Sequence, residues 1–270
     1  MFPSVALKII QRADAADVSL REIEFAIMTD PAIAGKVLKV ASSPAYAGSN
    51  IDSIGRAIQV LGMQNLKRLV IGLAYQTMLN ADDAPVHDRV ESWRHGYATG
   101  VAAREIARVK APNHAEQIFA SGLMHDMGLL IMEKFLRPVA ATLLNMSRAD
   151  QIPLFECERK VLGWDHAEAG GILGEMWSIP NVVLAGVRYH HDISATDEFY
   201  TIAAIISVAD TLAHQTGFTN GRVGTGETFD LLAEMELEMP TEELDRIAAR
   251  MVEEVVLAQA AFGIGMSKAA

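Results

Sequence analysis

Apolar residues recur three and four positions apart along most of this chain, the period of helices that bury one face. In "TDPAIAGKVLKVAS", Asp30 is placed to cap a helix and Pro31 to open it, and Ile33, Val37, Leu38 and Ala41 then share a face. "SSPAYAGSN" breaks the pattern at Pro44 and Gly48. Ser53 can cap the next segment, where Ile54, Ile58, Leu61, Leu66, Leu69, Val70 and Leu73 follow, with Gly62 dividing two pieces. Residues 80–89, "NADDAPVHDR", turn polar and contain Pro85, which marks an internal boundary.

A helix is expected from Val90 to Val109, then a loop at "KAPNHAEQ", then a helix carrying "GLMHDMGLL" and a helical stretch to Ser147. "FECERKVLGWDHAEAGGILGEMWSIP" reads as two helices on either side of Gly163–Asp165, ended near Pro180. "NVVLAGVRYHHD" and "EFYTIAAIISVADTLAHQ" are two more helices. Residues 217–227, "GFTNGRVGTGE", form a glycine-rich loop that lacks the Gly-Lys-Ser/Thr end of a phosphate loop. From Thr241 a last helix carries the stripe Leu244, Ile247, Ala248, Met251 and Val255. No segment alternates as a β-strand should. The pattern predicts an all-α protein in two packed parts, residues 1–85 and a helical bundle over 86–215, followed by the loop and C-terminal helix of 216–270.

Composition adds limits. Half of the 270 residues are apolar, enough for a sizeable core. The net charge of −11 lacks the basic footprint of a general nucleic-acid binder, although it leaves room for one small phosphate ligand. The single cysteine, Cys157, excludes an intramolecular disulfide and reads as a small apolar filler. The N-terminus has no basic and apolar regions of a signal peptide, and no apolar run approaches the length of a membrane span. A cytoplasmic protein without membrane insertion is expected.

The candidate chemistry lies in the histidines. Of eight, five fall in helical contexts beside carboxylates or other histidines: His95, His125 before Asp126, His166 after Asp165, and the pair His190–His191. Asp210 sits in the apolar run "IISVAD". Each alone has a structural explanation, as a helix-end residue or a hydrogen-bonded core histidine. Together they need mutual partners, and a divalent metal (Fe, Mn, Mg, Ni or Zn), as one or two ions, suits imidazole and carboxylate donors. On a helix, His125 and Asp126 would point about 100° apart, and Asp126 could bridge two ions.

The order His95, His125–Asp126, Asp210 resembles the ligand pattern of the HD phosphohydrolase superfamily. His166, His190 and His191 resemble the additional ligands of its two-metal members, notably the HD-GYP type, and are expected at the rim or completing a second metal position. "DPAIAGKVLKVASSPAYAGSNIDSIGRAIQVLGMQNLKRLVIGLA" is similar to the N-terminal part of the HDOD family, the HD-related output domain of bacterial signalling proteins. "SWRHGYATGVAAREIA", "ASGLMHDMGLLIM", "LGWDHAEAGGILGEMWSIP" and "VRYHHD" continue that resemblance in order, from about Leu7 to Ala213.

The resemblance implies an all-α fold and a regulatory role, and a signalling protein partner is expected; because no receiver or nucleotide-cyclase domain fits beside this module in 270 residues, a stand-alone output protein is expected. Two departures from active HD enzymes bear on catalysis. Leu129 stands where such enzymes usually have a lysine after the His-Asp motif, and "HHDISATDEF" stands where HD-GYP proteins carry Gly-Tyr-Pro. The alternative is a metal-dependent phosphohydrolase acting on a nucleotide or related phosphate ester. Arg94, Arg104, Arg188 and Lys134 are the basic residues near the candidate ligands in sequence, and the N-terminal half is the expected partner surface.

Overall fold

The computed structural model describes residues 3–15, 19–44, 46, 51–80, 86–219 and 236–264. Every regular element among them is a helix. The N-terminal part holds α1 (Ser4–Gln11), α2 (Leu20–Met28), α3 (Pro31–Ala41), α4 (Ile54–Leu61) and α5 (Met63–Leu79). Then follow α6 (Arg89–Lys110), α7 (Ala115–Met124), α8 (Gly128–Phe135), α9 (Arg137–Asp150) and α10 (Leu154–Leu162). α11 (His166–Met176), α12 (Asn181–Tyr189), α13 (Tyr200–Gln215) and α14 (Thr241–Phe262) complete the chain. Part of the expected glycine-rich loop, residues 220–227, lies outside the described residues, as do residues 81–85 of the polar boundary.

Local chemistry sets the helix starts. Ser19 and Glu22 form a reciprocal capping box at α2. Asp30, Ser53, Asp88 and Asp165 each accept a hydrogen bond from a first-turn backbone N–H. Asp30 with Pro31 at the first helical position is the start that the sequence predicts.

α6 organises the rest. Thirteen consecutive residues from His95 to Ala107 are buried, with small side chains on most of them, so the helix is covered on every side. It packs against α7, α13, α14 and α5, and α5 in turn meets α1, α3 and α4. α6 and α7 meet glycine to glycine: a Cβ on Gly122 of α7 would stand 2.9 Å from both the Cα and the N of Gly100 on α6. One contiguous apolar core runs from Val5 in α1 through α6 to Ile264. A smaller cluster of Leu129, Met132, Ala140, Leu143, Leu154 and Cys157 lies under α8–α10. Cys157 is fully buried there, and burial pushes its thiol up.

Three local expectations need correction. "KAPNHAEQ" is not a plain loop: Pro112–His114 form a 3-10 turn and α7 already begins at Ala115. "GLMHDMGLL" is not one helix, because α7 ends at Met124, residues 125–127 turn, and α8 starts at Gly128. Here the amide of Met127 bonds the carbonyl of Met124, and that of Leu129 the carbonyl of Asp126, the tighter 3-10 pattern. The turn presses Gly128 onto α11, where any Cβ would collide with the carbonyl oxygen of His166. The stretch to Ser147 is likewise two helices, divided at Leu136.

α14 is fastened to α6 by an ion pair between buried Arg104 and half-buried Glu254. Arg104 Nη2 lies 2.7 Å from Glu254 and 2.7 Å from Glu105. Burial would raise the Glu254 carboxyl, but Arg104, then Arg250 and Arg68, outweigh it and hold it below the ordinary carboxylate range. A carboxylate with a depressed folded pKa stabilises the protein above its unfolded value of about 4.3, and that contribution fades as pH falls through the folded value. Acid titration of stability should therefore show a loss below pH ~4 that Glu254→Gln flattens. Gly122→Ala should cost about 1–3 kcal/mol in urea unfolding with an unchanged m-value, because backbone atoms on α6 cannot move aside.

Candidate metal centre

Five segments deliver the candidate ligands to one buried place. α6 carries His95, the turn after α7 carries His125 and Asp126, and α11 opens with His166. α12 ends at His190–His191, and α13 carries Asp210. His95, His125, Asp126, His166, His190 and Asp210 are all buried, so His166 and His190 belong to the interior of the cluster and only His191 fits the expected rim. Three sets of donor atoms each fall within 4.8 Å of one another: His95, His125 and Asp210; His125, Asp126 and His190; His166, His190 and His191.

The ring orientations are fixed from behind. The carbonyl of Phe218 lies 2.6 Å from Nδ1 of His95, and that of Gly122 lies 2.7 Å from Nδ1 of His125. The carbonyl of Val187 lies 2.9 Å from Nδ1 of His190. A carbonyl oxygen only accepts, so in each ring Nδ1–H donates and Nε2 is left as the lone-pair nitrogen facing inward. His166 uses a carboxylate for the same purpose: Glu158 Oε2 accepts from its Nδ1 at 2.7 Å and from its backbone N–H at 2.9 Å. Glu158 is fully buried in α10 and was not singled out in the sequence; its eight-residue spacing to His166 was the available signal.

What faces inward is electron-rich. His95 Nε2 and His125 Nε2 stand 3.2 Å apart, and His166 Nε2 and His191 Nε2 stand 3.1 Å apart. Asp126 spans the two groups: Oδ2 is 3.5 Å from His95 Nε2 and 3.4 Å from His125 Nε2, while Oδ1 is 3.2 Å from His166 Nε2. Asp210 Oδ1 is 3.0 Å from His95 Nε2. Lone pairs this close repel unless positive charge lies between them. Burial would lower His166, but Glu158 and Asp126 overcome it and raise it to about 10. Burial would raise Asp210, yet His214, His95 and His125 hold its carboxyl well below the usual range. His190 is pushed down to about 3, by burial and then by His125 and His166, and its Nε2 is buried without a hydrogen-bond partner. A donor set of imidazole lone pairs and carboxylates, with a buried orphan nitrogen, fits a divalent cation. His95, His125, Asp126 and Asp210 could hold one ion, and Asp126, His166, His190 and His191 a second.

His214 was missed. One turn beyond Asp210 on α13, its Nε2 lies 3.6 Å from Asp210 Oδ1 and its ring centroid 4.9 Å from that of His95. The i, i+4 spacing to Asp210 was the signal. The four basic residues that lie near the ligands in sequence make their side-chain contacts elsewhere. Arg94 pairs with Glu91 and lies over Phe218, Arg188 pairs with Glu175, Arg104 with Glu105 and Glu254, and Lys134 lies over the Phe135 ring.

The family model of the HDOD domain matches residues 1–193, and the chain belongs to the HDOD family. Asp210 and His214 lie beyond that match. A crystal structure of an HDOD domain protein of unknown function from Geobacter sulfurreducens superposes with a TM-score of 0.79 at 22% identity, covering 99% of this chain and 93% of that one. A candidate signal-transduction protein from Marinobacter aquaeolei gives a TM-score of 0.80 at 19% identity, over 98% of this chain and 59% of the other. A candidate phosphohydrolase from Shewanella amazonensis gives 0.70 at 19% identity, over 97% and 93%. These likenesses establish the fold. An uncharacterised protein of Treponema pallidum is 23% identical over 211 residues, 77% of this chain, and the chain spans only 40% of that relative's length. No helix among the described residues is long and apolar enough to cross a membrane.

Removing Glu158 leaves two donors of His166 without an acceptor in a place water does not reach. Glu158→Ala should destabilise the protein by about 3–5 kcal/mol, measured by urea unfolding in excess chelator so that metal does not enter the comparison.

Proposed function

We propose that this chain is a regulatory HDOD protein that acts mainly through a protein partner and holds one or two divalent metal ions at the His/Asp cluster. The observation that carries the metal is the set of inward Nε2 atoms, locked by hydrogen bonds behind each ring, around a doubly placed Asp126. An ion bound there would polarise a phosphoryl or water oxygen and lower the pKa of that water. The chain's own part is to fix the rings, exclude water and keep the Asp210 carboxylate ionised.

Binding is favoured over turnover by Leu129, which stands where active HD enzymes usually have a lysine. One narrow cleft among the described residues is lined by Asp126, Leu129 and Leu130 and has about 10 Å³ of room, one water-sized group. The second reading, a metal-dependent phosphohydrolase acting on a nucleotide or related phosphate ester, is supported by the completeness of the donor set. A neighbouring fold from Shewanella amazonensis carries the description of a candidate metal-dependent phosphohydrolase.

For the partner, α2 is the favoured surface in the N-terminal half. Phe25 and Met28, three residues apart, are 72% and 62% exposed on its outer face, and Leu20 is 55% exposed. Replacing Phe25 and Met28 by Ser should leave fold and metal content unchanged and remove proteins that co-purify with the wild-type chain. Retention of all of them would move the surface elsewhere.

The metal is tested on protein purified without chelator. Elemental analysis should find between one and two equivalents of divalent ion. Asp126→Asn keeps the shape but loses charge and lone pairs, so affinity should fall by at least the ~10–100-fold that loss of an outer-shell partner costs. Unchanged metal content in that variant would overturn the site. Robust turnover in a panel of phosphate esters would replace the first reading by the second.

A further inference from the structure

A cavity of about 270 Å³ lies where α5 of the N-terminal part meets α6 and α14, and none of the candidate metal ligands lines it. Its volume is just under the ~300 Å³ at which pockets for small organic ligands begin, so it has room for a molecule of one or two rings. Tyr97 of α6 borders it. The Tyr97 ring stacks on Trp93 at 4.8 Å and stands edge-on to Phe119, and the residue is only 8% exposed. Among the described residues its hydroxyl makes no hydrogen bond. A tyrosine held this deeply ordinarily has a partner for its O–H, and the open space that Tyr97 borders is the cavity.

The same wall is positive within a negative protein. Arg68 and Arg250 line the cavity beside one carboxylate, Glu254. That carboxylate is already matched: its Oε1 lies 2.7 Å from Arg104 Nη2 and 3.1 Å from Arg250 Nε. Arg68 Nη1 lies 3.0 Å from Glu116, and its Nη2 donates to Asn65. Arg104, Arg108 and Arg250 share Glu105. Arg68, Arg104, Arg108 and Arg250 thus stand against Glu105, Glu116 and Glu254, which leaves one positive charge over in a chain of net charge −11. Arg68 is pushed down, by burial and then by Arg104, as crowded cations are. Packing accounts for neither feature. A phenylalanine at 97 would fill the same space with no orphan O–H, and three glutamates do not need a fourth arginine.

We propose that this cavity binds a small aromatic monocarboxylate. Its carboxylate accepts from the Tyr97 hydroxyl and from the Arg68 guanidinium, and its single charge meets the single positive charge left over. Its planar body lies among the rings and apolar side chains of the wall, Tyr46, Phe262, Leu69 and Leu257. Because the wall joins α5, α6 and α14, a bound acid fastens the N-terminal part and the C-terminal helix to α6. The site is independent of the metal reading.

The experiment uses the full chain in excess chelator, so that a carboxylate cannot ligate metal at the His/Asp cluster. The probe is indole-3-acetate, read by calorimetry. Wild type binds the acid at least about tenfold more tightly than indole-3-acetamide, which keeps the shape and loses the charge, and does not bind tryptamine, which reverses it. Tyr97→Phe loses no hydrogen bond in the free chain, so its urea midpoint stays that of wild type while the acid binds about tenfold more weakly. Arg68→Met weakens the acid by ~10–100-fold, and Arg68→Lys, a charge without the planar fork, recovers part of the loss. If Arg68→Met does not fold, Tyr97→Phe decides the matter. Wild type that takes no indole-3-acetate overturns the proposal. So does amide or amine that binds as tightly as the acid, and so does undiminished affinity in folded Tyr97→Phe. A lowered urea midpoint in Tyr97→Phe assigns the hydroxyl to the free chain's own stability and counts against the site.

Discussion

The candidate centre depends on how closely α6 and α7 approach. Gly100 and Gly122 let the two backbones meet at a spacing no side chain could share, and this brings His95 on one helix beside His125 just past the end of the other. The same approach fixes the chemistry. α7 stops at Met124, so the carbonyl of Gly122 is free of a helical partner and accepts from His125 instead. A helix that continued through "HDMG" would have used that carbonyl for its own ladder and turned His125 away. The break in the helix and the orientation of the imidazole have one cause.

Most of the fold was legible in the sequence because it is written in local terms. Asp30–Pro31, Ser53, Gly62 and Asp165 announce helix ends through capping chemistry, and the stripe on α14 appears as the period predicts, with Leu244, Ile247, Met251 and Val255 buried. The interruption at residues 125–127 was not legible. Its residues are compatible with a helix, and what bends the chain is the approach of Gly128 to the His166 carbonyl, a contact across 38 positions. That the cluster's residue types belong together could be argued from composition and order. What holds each ring could not, because the acceptors behind His95, His125 and His190 are backbone carbonyls that carry no sequence signature. Arg89 escaped notice for a related reason: "HDR" lies in a polar stretch that reads as a boundary, while its partner Glu133 is 44 positions away.

Burying four histidines beside two carboxylates is costly by any measure of desolvation, and an apolar filling of the same volume would fold more easily. The protein meets that cost by distributing charge unevenly. His190 is kept neutral and His166 is driven toward the imidazolium, although their ring centroids are only 5.6 Å apart. His166 has the carboxylates of Glu158 and Asp126 beside it, whereas His190 has the carbonyls of Gly186 and Val187 behind it and faces His125 and His166.

The cleft over Asp126 brings these threads together. Its walls come from both parts of the fold, Tyr75 and Leu79 from α5 and Leu129, Leu130 and Glu133 from α8, with Arg89 and Ser92 of α6 between them. α5 is also the helix against which α1, α3 and α4 pack. The N-terminal part is therefore a wall of the approach to the cluster.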